Sequence, residues 1–503
     1  MRYRPTISLT LIGLILLFAA TNNLTAQTAW TGTVSTDWNT AGNWSAGVPG
    51  AADDVTIPDT TNNPVISSAG ITIRSLIIQA GGLLTVGAAG VLSINGSAAE
   101  GLFNKGTVQN NGIISIGNIS NVAGEGIQNE AIFNNNSGAA IYIDSSSGEA
   151  CLYNNGSFTN TGTITTGSND GGTRGIYVKQ GDFLNDAGGV INISNAYAAV
   201  EVDGGGILNY GNMNISSAYN GVILSFGVFT NSGQVKINGA FVGVICNIGS
   251  TTNNLGTMIM GEEKPVYTLV STTDGFSGTF NNRGLFKASG EVKSNTFVND
   301  HGTLSPGHPV GKLDFDNSES FTNSTLNMDV NGVGTAGEDY DQVVVFGTAT
   351  LGGKLVISIN KPAVDGDQVT LVKAIAIHGT FSMVTGLPPF WKLSYTPTSV
   401  ILTYDLTNVW TGNAGPFWDM AGNWSHGTVP TAYTNVRIPG GTTNPCLVRS
   451  HAAASTIHVQ GGTFNVFAGV NFTVIGRKNF NGVSAAFYNQ GTAAIYGTLY
   501  IAN

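Results

Sequence analysis

Ala199-Val-Glu-Val…Ile207-Leu-Asn-Tyr-Gly211-Asn-Met-Asn-Ile215 is followed by Gly221-Val-Ile-Leu…Phe229-Thr-Asn-Ser-Gly233-Gln-Val-Lys-Ile237 and by Gly243-Val-Ile-Cys…Thr252-Asn-Asn-Leu-Gly256-Thr-Met-Ile-Met260. The three openings, at 199, 221 and 243, are 22 residues apart twice. Each copy has an alternating apolar run, an Asn-Gly step and a second alternating run. Short strands recurring at a fixed period predict stacked coils, a solenoid, rather than one compact core. If the coils share one register, Phe229 and Leu208 occupy equivalent inward positions. The repeated Asn and Gly are expected to supply left-handed backbone at the bends, with Asn side chains hydrogen-bonding from coil to coil.

Outward from this stretch the same wording persists from about Leu83 to Gly302, at Phe103-Asn104, Phe133-Asn134, Phe158-Thr-Asn160, Leu184-Asn185, Leu208-Asn209, Phe280-Asn281 and Phe297-Val-Asn299. Triplets such as Asn192-Ile-Ser194 read as turn chemistry rather than as glycan acceptors. Composition supports an all-β class. Hydrophobic residues make up 42% of the 503 residues and alternate with period two, while only 10% are charged; disorder would require the reverse balance. The formal charge of −10 has no basic cluster to offset it, which excludes nucleic acid and anionic membrane surfaces as partners.

Met1 to Ala26 reads as a secretory leader: Arg2 and Arg4, an apolar stretch from Ile7 to Ala20, and Leu24-Thr-Ala26 before the cut. Its removal takes the charge from −10 to −12, because the leader holds two basic residues and no acidic ones. The apolar stretch falls short of the about 20 residues that span a bilayer, and the mature chain has no other candidate. The expected localisation is therefore exported, either extracellular or attached to the outer cell surface. Cys151, Cys246 and Cys446 are too few and too widely spaced for a disulfide framework. Cys151 and Cys246 read as equivalent core positions four coils apart, roughly 19 Å at about 4.8 Å per coil, which is beyond disulfide reach.

Two ends of the chain carry the same text. Trp30-Thr-Gly32, Trp38, Asn43-Trp44, Val48-Pro49, Ile57-Pro58 and Asn63-Pro64 return as Trp410-Thr-Gly412, Trp418, Asn423-Trp424, Val429-Pro430, Ile438-Pro439 and Asn444-Pro445. The Trp residues read as an aromatic lid over the end of a coil stack. The expected domains are a leader at 1–26, a Trp-rich capping module with the first coils at 27–95, a parallel β-helix at 96–302, a β cap segment at 303–405, and a second copy of the first module at 406–503. Because the second stack breaks off at Asn503, the chain is expected to be a fragment of a longer protein.

The Trp-Thr-Gly…Asn-Trp…Val-Pro…Ile-Pro openings resemble the repeated modules of large secreted surface proteins of the Bacteroidetes type. The stretch from Gly302 to Tyr404, with Leu304-Ser-Pro-Gly307, Tyr340-Asp-Gln-Val343 and Leu351-Gly-Gly-Lys-Leu355, resembles the passenger segments of autotransporter adhesins. This resemblance implies a right-handed parallel β-helix displayed at the cell surface or released. It also implies a C-terminal sorting domain or barrel, and this sequence ends before one.

Catalytic constellations are scarce. Asp53 and Asp54 point to opposite faces of a strand, and the second copy has Thr434 and Asn435 in their place. Asp339 and Asp341 share a strand face at i, i+2, and Asp365 and Asp367 straddle Gly366 in turn fashion; either pair is at most a weak Ca²⁺ site. His301 and His308 read as loop residues, and Gly204-Gly-Gly206 lacks the following helix of a dinucleotide fingerprint. No catalytic, cofactor-binding or metal residues are therefore assigned, and no cofactor is expected. The favoured function is a non-enzymatic adhesin or structural β-helix protein. The alternative is a polysaccharide-binding or polysaccharide-degrading (lyase or glycosidase) β-helix protein, with extracellular polysaccharide or host glycans as partners. An aligned outer row among Tyr142, Tyr177, Tyr197, Tyr210 and Tyr219 would favour that alternative.

Overall fold

A computed structural model describes residues 27–502 apart from 97–98, 119, 168–172, 273–277 and 295. The leader read at 1–26 lies outside the described residues. The chain winds into a parallel β-solenoid of about 19 turns. Each coil has three short strands, and each strand joins its counterparts above and below into one of three faces. In the coil that opens the repeat, the first face has Ala198–Val202, the second Gly206–Asn209 and the third Asn212–Ser216. The registers are Val200↔Val222↔Val244, Ile207↔Phe229↔Thr252 and Ile215↔Ile237↔Met260. Alternate residues point inward and fill the coil with Val, Ile, Leu and stacked rings. Phe133, Phe158 and Phe183 lie face to face with centroids 4.6 and 4.8 Å apart.

Two polar devices fix this register. Asn110, Asn135, Asn160, Asn185, Asn209, Asn231, Asn254, Asn282 and Asn299 form one buried column. Each Nδ2 before the last donates to the next Oδ1 at 2.7–2.9 Å. Most also donate to a main-chain oxygen at the start of the third face one coil on, for example Asn209 to Gln234 O at 3.2 Å. A shorter column, Asn104, Asn129 and Asn154, stands at the end of the first face. Beside the long column runs a line of glycines. A Cβ at Gly233 would lie 2.1 Å from the Gly211 oxygen, and one at Gly256 2.2 Å from the Gly233 oxygen.

These devices correct three expectations. Leu208 is 44% exposed, while Ile207 is fully buried opposite Phe229. The column Asn is itself inward, so in a period-two strand the inward apolar residue stands two places before it, as Phe229 stands before Asn231. Leu208, one place before Asn209, must face out. The column Asn and the neighbouring glycines do not adopt left-handed backbone; the glycines are required by close approach. Asn192 lies within the strand Val190–Ser194, paired to Asn214 at 2.9 Å, and not at a turn.

Cys151, Cys246 and Cys446 are buried and unbridged. Cys246 stands in register with Leu224, Val202, Val178 and Asn154, three places on from Cys151, so the two are not equivalent.

The parallel stacking does not stop at residue 302. The third face continues through Thr303–Pro306, Thr325–Val330, Lys354–Ile359 and Met383–Thr385. The first face continues to Gln368–His378. The second face ends at Phe297–Asn299. Antiparallel strands Trp391–Tyr395 and Ser399–Tyr404 then close the stack, so the segment expected as a cap is coil first and cap only at its end. A second stack follows through Thr407–Val409, Asn435–Pro439, Thr456–Gln460 and Phe487–Asn489, around its own core.

The Trp modules form matching clusters. Trp44 lies edge-on to Trp30 and Trp38 at 4.9 and 4.6 Å, and Trp424 to Trp410 and Trp418 at 5.1 and 4.6 Å. Trp44 Nε1 donates to Trp38 O at 2.7 Å, and Trp424 Nε1 to Trp418 O at 2.8 Å. All six rings are buried. Trp30 Nε1 donates to Asn62 O and Trp410 Nε1 to Asn444 O. The structural partner of Asn444 is therefore Asn62, one residue before the Asn63 that the sequence match suggests.

Candidate functional site

The acidic residues singled out in the sequence do not converge. Asp54 pairs with Arg74 and accepts from Ser75 Oγ at 2.5 Å. Its counterpart Asn435 accepts from Thr456 Oγ1 at 2.6 Å, so this position bonds the same neighbouring strand in both copies. Asp53 accepts from Gly50 N in a turn. Asp339 and Asp341 lie in the connection before Gln342–Leu351, not on one strand face. Asp341 is fully buried and accepts from Gly311 N and Asp329 N, both at 2.8 Å, and burial pushes its carboxyl up to about 8. Asp339 instead holds Thr335 N at 2.7 Å in its own loop.

Asp367 is the turn residue expected, accepting from Val364 N and Lys361. Asp365 is not: it accepts from Leu406 N at 2.9 Å, Asn435 Nδ2 at 2.7 Å and Lys478 Nζ at 2.9 Å, joining the cap to the second stack. His301 pairs with Asp300 at 2.9 Å on the surface. Among the described residues, no group of three or more His, Cys, Asp and Glu could hold a metal ion.

The five tyrosines divide. Tyr177 is buried under Arg174, with Lys179 Nζ and Asp203 Oδ2 each 3.1 Å from its hydroxyl. Tyr142 and Tyr210 stand apart on other strands and turns. Tyr197 and Tyr219 are aligned, and Phe241 and Tyr267 extend their row. The centroid steps are 5.7, 5.3 and 6.1 Å, the first two pairs within 11° of parallel and the last tilted at 45°. Each ring is about half exposed, from 47% at Tyr197 to 65% at Tyr267.

Local sequence builds this ridge at the corner between the third and first faces. Asn195, Ser217 and Gly239 adopt positive φ of 55°, 55° and 68°, turning the chain. The next residue, Ala196, Ala218 or Ala240, tucks inward. The residue after it is the outward ring. One coil later an insertion, Gly261 to Lys264, lengthens the corner before buried Val266 and exposed Tyr267. Lys264 Nζ reaches Ser217 Oγ at 3.3 Å, and Lys236 pairs with Glu262 at 2.7 Å, so the apolar ridge has a polar flank. An extended ligand lying along the axis would meet one ring per coil. Sequence reading found two of the four rings. The missing signal was a ring two places before each repeat opening, at 197, 219 and 241.

A family described only as a domain of unknown function, DUF8693, matches residues 29–247, which includes the first Trp module and the first three rings of the ridge. No curated protein matches the chain.

Proposed function

We propose that this chain is an exported, non-enzymatic adhesin-type solenoid that binds polysaccharide; the aligned rings move the reading from a purely structural role to the binding half of the alternative. Coil stacking supplies a rigid, extended body, and the outer aromatic ridge supplies repeated contacts to a carbohydrate chain lying along the axis. The observation that carries the reading is the row Tyr197, Tyr219, Phe241 and Tyr267, half exposed on a register held by the Asn column. Contacts repeated once per coil sum by multivalency even where each is weak, and aromatic faces and edges offer large rigid apolar area at low entropic cost. The burial of Asp341 against main-chain N–H groups, with Asp339 holding its own loop, favours this reading over hydrolysis, which needs two carboxyls facing one substrate across about 5–9.5 Å.

The test is binding of the full chain to pectin, alginate, β-glucan and host glycans, with product analysis in the same samples. Retention on at least one polymer is expected, with a loss of at least tenfold in the Tyr219→Ala, Phe241→Ala double variant and no new reducing ends. Retention unaffected by the double variant would remove the ridge from the function. Release of reducing ends or unsaturated products, abolished by Asp339→Asn or Asp341→Asn, would replace the adhesin with the lyase or glycosidase alternative.

A further inference from the structure

A cleft of about 450 Å³ lies where the closing strands of the first stack meet the second stack. Its floor is the outer surface of the second stack's first face, where Val409, Arg437 and His458 stand side by side in register. One wall comes from the cap, with Tyr404, Asp405 and Lys392. The other comes from the antiparallel hairpin Lys478–Phe480 and Val483–Ala485. Phe480 is held upright by stacking on Tyr488, 5.4 Å away and 3° from parallel, with His458 5.1 Å off.

The charges here are unequally used. Asp365 already accepts from three donors, among them Lys478. Asp405 accepts from Lys392 Nζ at 2.7 Å and from Thr407 N at 2.9 Å. Among the described residues Arg437 makes one side-chain hydrogen bond, to Gln460 Oε1 at 3.1 Å, and no ion pair. A guanidinium has five N–H donors in a planar fork. In a chain of formal charge −10, the cleft floor therefore presents a cation with donors to spare, between an aromatic wall and two lysines. Such a fork suits a planar carboxylate bound through both oxygens. The Phe480 and Tyr404 rings suit the C–H face of a flat ring, and the volume is that of a small-ligand site.

We propose that this cleft binds a carboxylate-bearing pyranose, a hexuronic acid unit, with its carboxylate on Arg437 and its ring against Phe480. The site is separate from the aromatic ridge and does not rest on it. Calorimetric titration of the full chain with glucuronate, galacturonate, glucose, galactose and sulfate tests it. A uronate is expected to bind at least tenfold more tightly than its neutral sugar and than sulfate. Arg437→Gln is expected to reduce uronate affinity at least tenfold with an unchanged melting temperature, and Phe480→Ala to reduce it with the carboxylate preference retained. Tyr219→Ala, on the ridge, leaves it unchanged. Absence of uronate binding, equal binding of sulfate, or full affinity in Arg437→Gln would overturn the proposal. Should Arg437→Gln melt early, Lys392→Gln at the rim provides the second variant, with a several-fold loss expected and none overturning it.

Discussion

At the scale of single residues, the fold depends on side chains that face the interior and are not apolar. Each Asn in the column before Asn299 has its amide satisfied by its neighbours, so removing one leaves partners unpaired in a dry interior, at about 1–3 kcal/mol for each group. Asn209→Ala leaves Asn231 Oδ1 without its donor and opens a void; a loss of about 2–4 kcal/mol is expected from denaturant titration. Asn299→Ala should cost much less, because its Nδ2, at the end of the column, has no partner among the described residues. Register supplies a second prediction. Ile207→Glu should prevent folding, whereas Leu208→Glu should stay within about 0.5 kcal/mol of the parent, since exposed positions tolerate such changes. In the sequence both residues are simply apolar. The alternation was legible and its phase was not, because the phase is set by Asn209, a residue whose burial is decided only by the neighbouring coils.

At the scale of elements, the informative place is the break in the second face. Phe297–Asn299 ends its sheet, and Glu319–Phe321, the next strand on that side, pairs instead with Gln342–Leu351. Between them lies a cavity of about 250 Å³. Glu319 is buried here, and burial pushes its carboxyl up to about 8, opposed only by the Ser320 main-chain hydrogen bond. The folded chain therefore retains a proton that the unfolded chain loses above its ordinary value of 4.5. This contribution is fully present below 4.5 and is lost as pH rises toward about 8. Thermal unfolding of the 303–405 region should show declining stability across that window, and Glu319→Gln should flatten the decline. Sequence marked this place well, since the wording changes at Gly302. It could not show that the third face runs on unbroken, because Thr303–Pro306 carries no repeat signature of its own.

At the scale of the whole molecule, two stacks with matching Trp clusters are joined through Asp365. Asp365→Ala should remove three hydrogen bonds at the joint and accelerate limited proteolysis between residues 405 and 435. Asp367→Ala should leave that cleavage rate unchanged, because Asp367 serves only its own turn. The duplication was legible from the Trp and Pro text. The joint was not, because Asp365-Gly-Asp367 has the wording of any acidic turn and its partners lie as far as 113 residues away. The glycine column carries a consequence for how such a chain changes length. Gly211, Gly233, Gly256 and Gly284 each close a two-residue corner between the second and third faces, against the oxygen of the glycine before, whereas the coil before them takes two added residues there, with Asp186 to Gly189 between its strands. The ridge corner admits several, as the spacing from Phe241 to Tyr267 already shows beside the tighter spacings before it. The molecule therefore lengthens in whole steps, like a ruler marked once per coil, while extra residues are taken up at the corners, the ring-bearing corner among them.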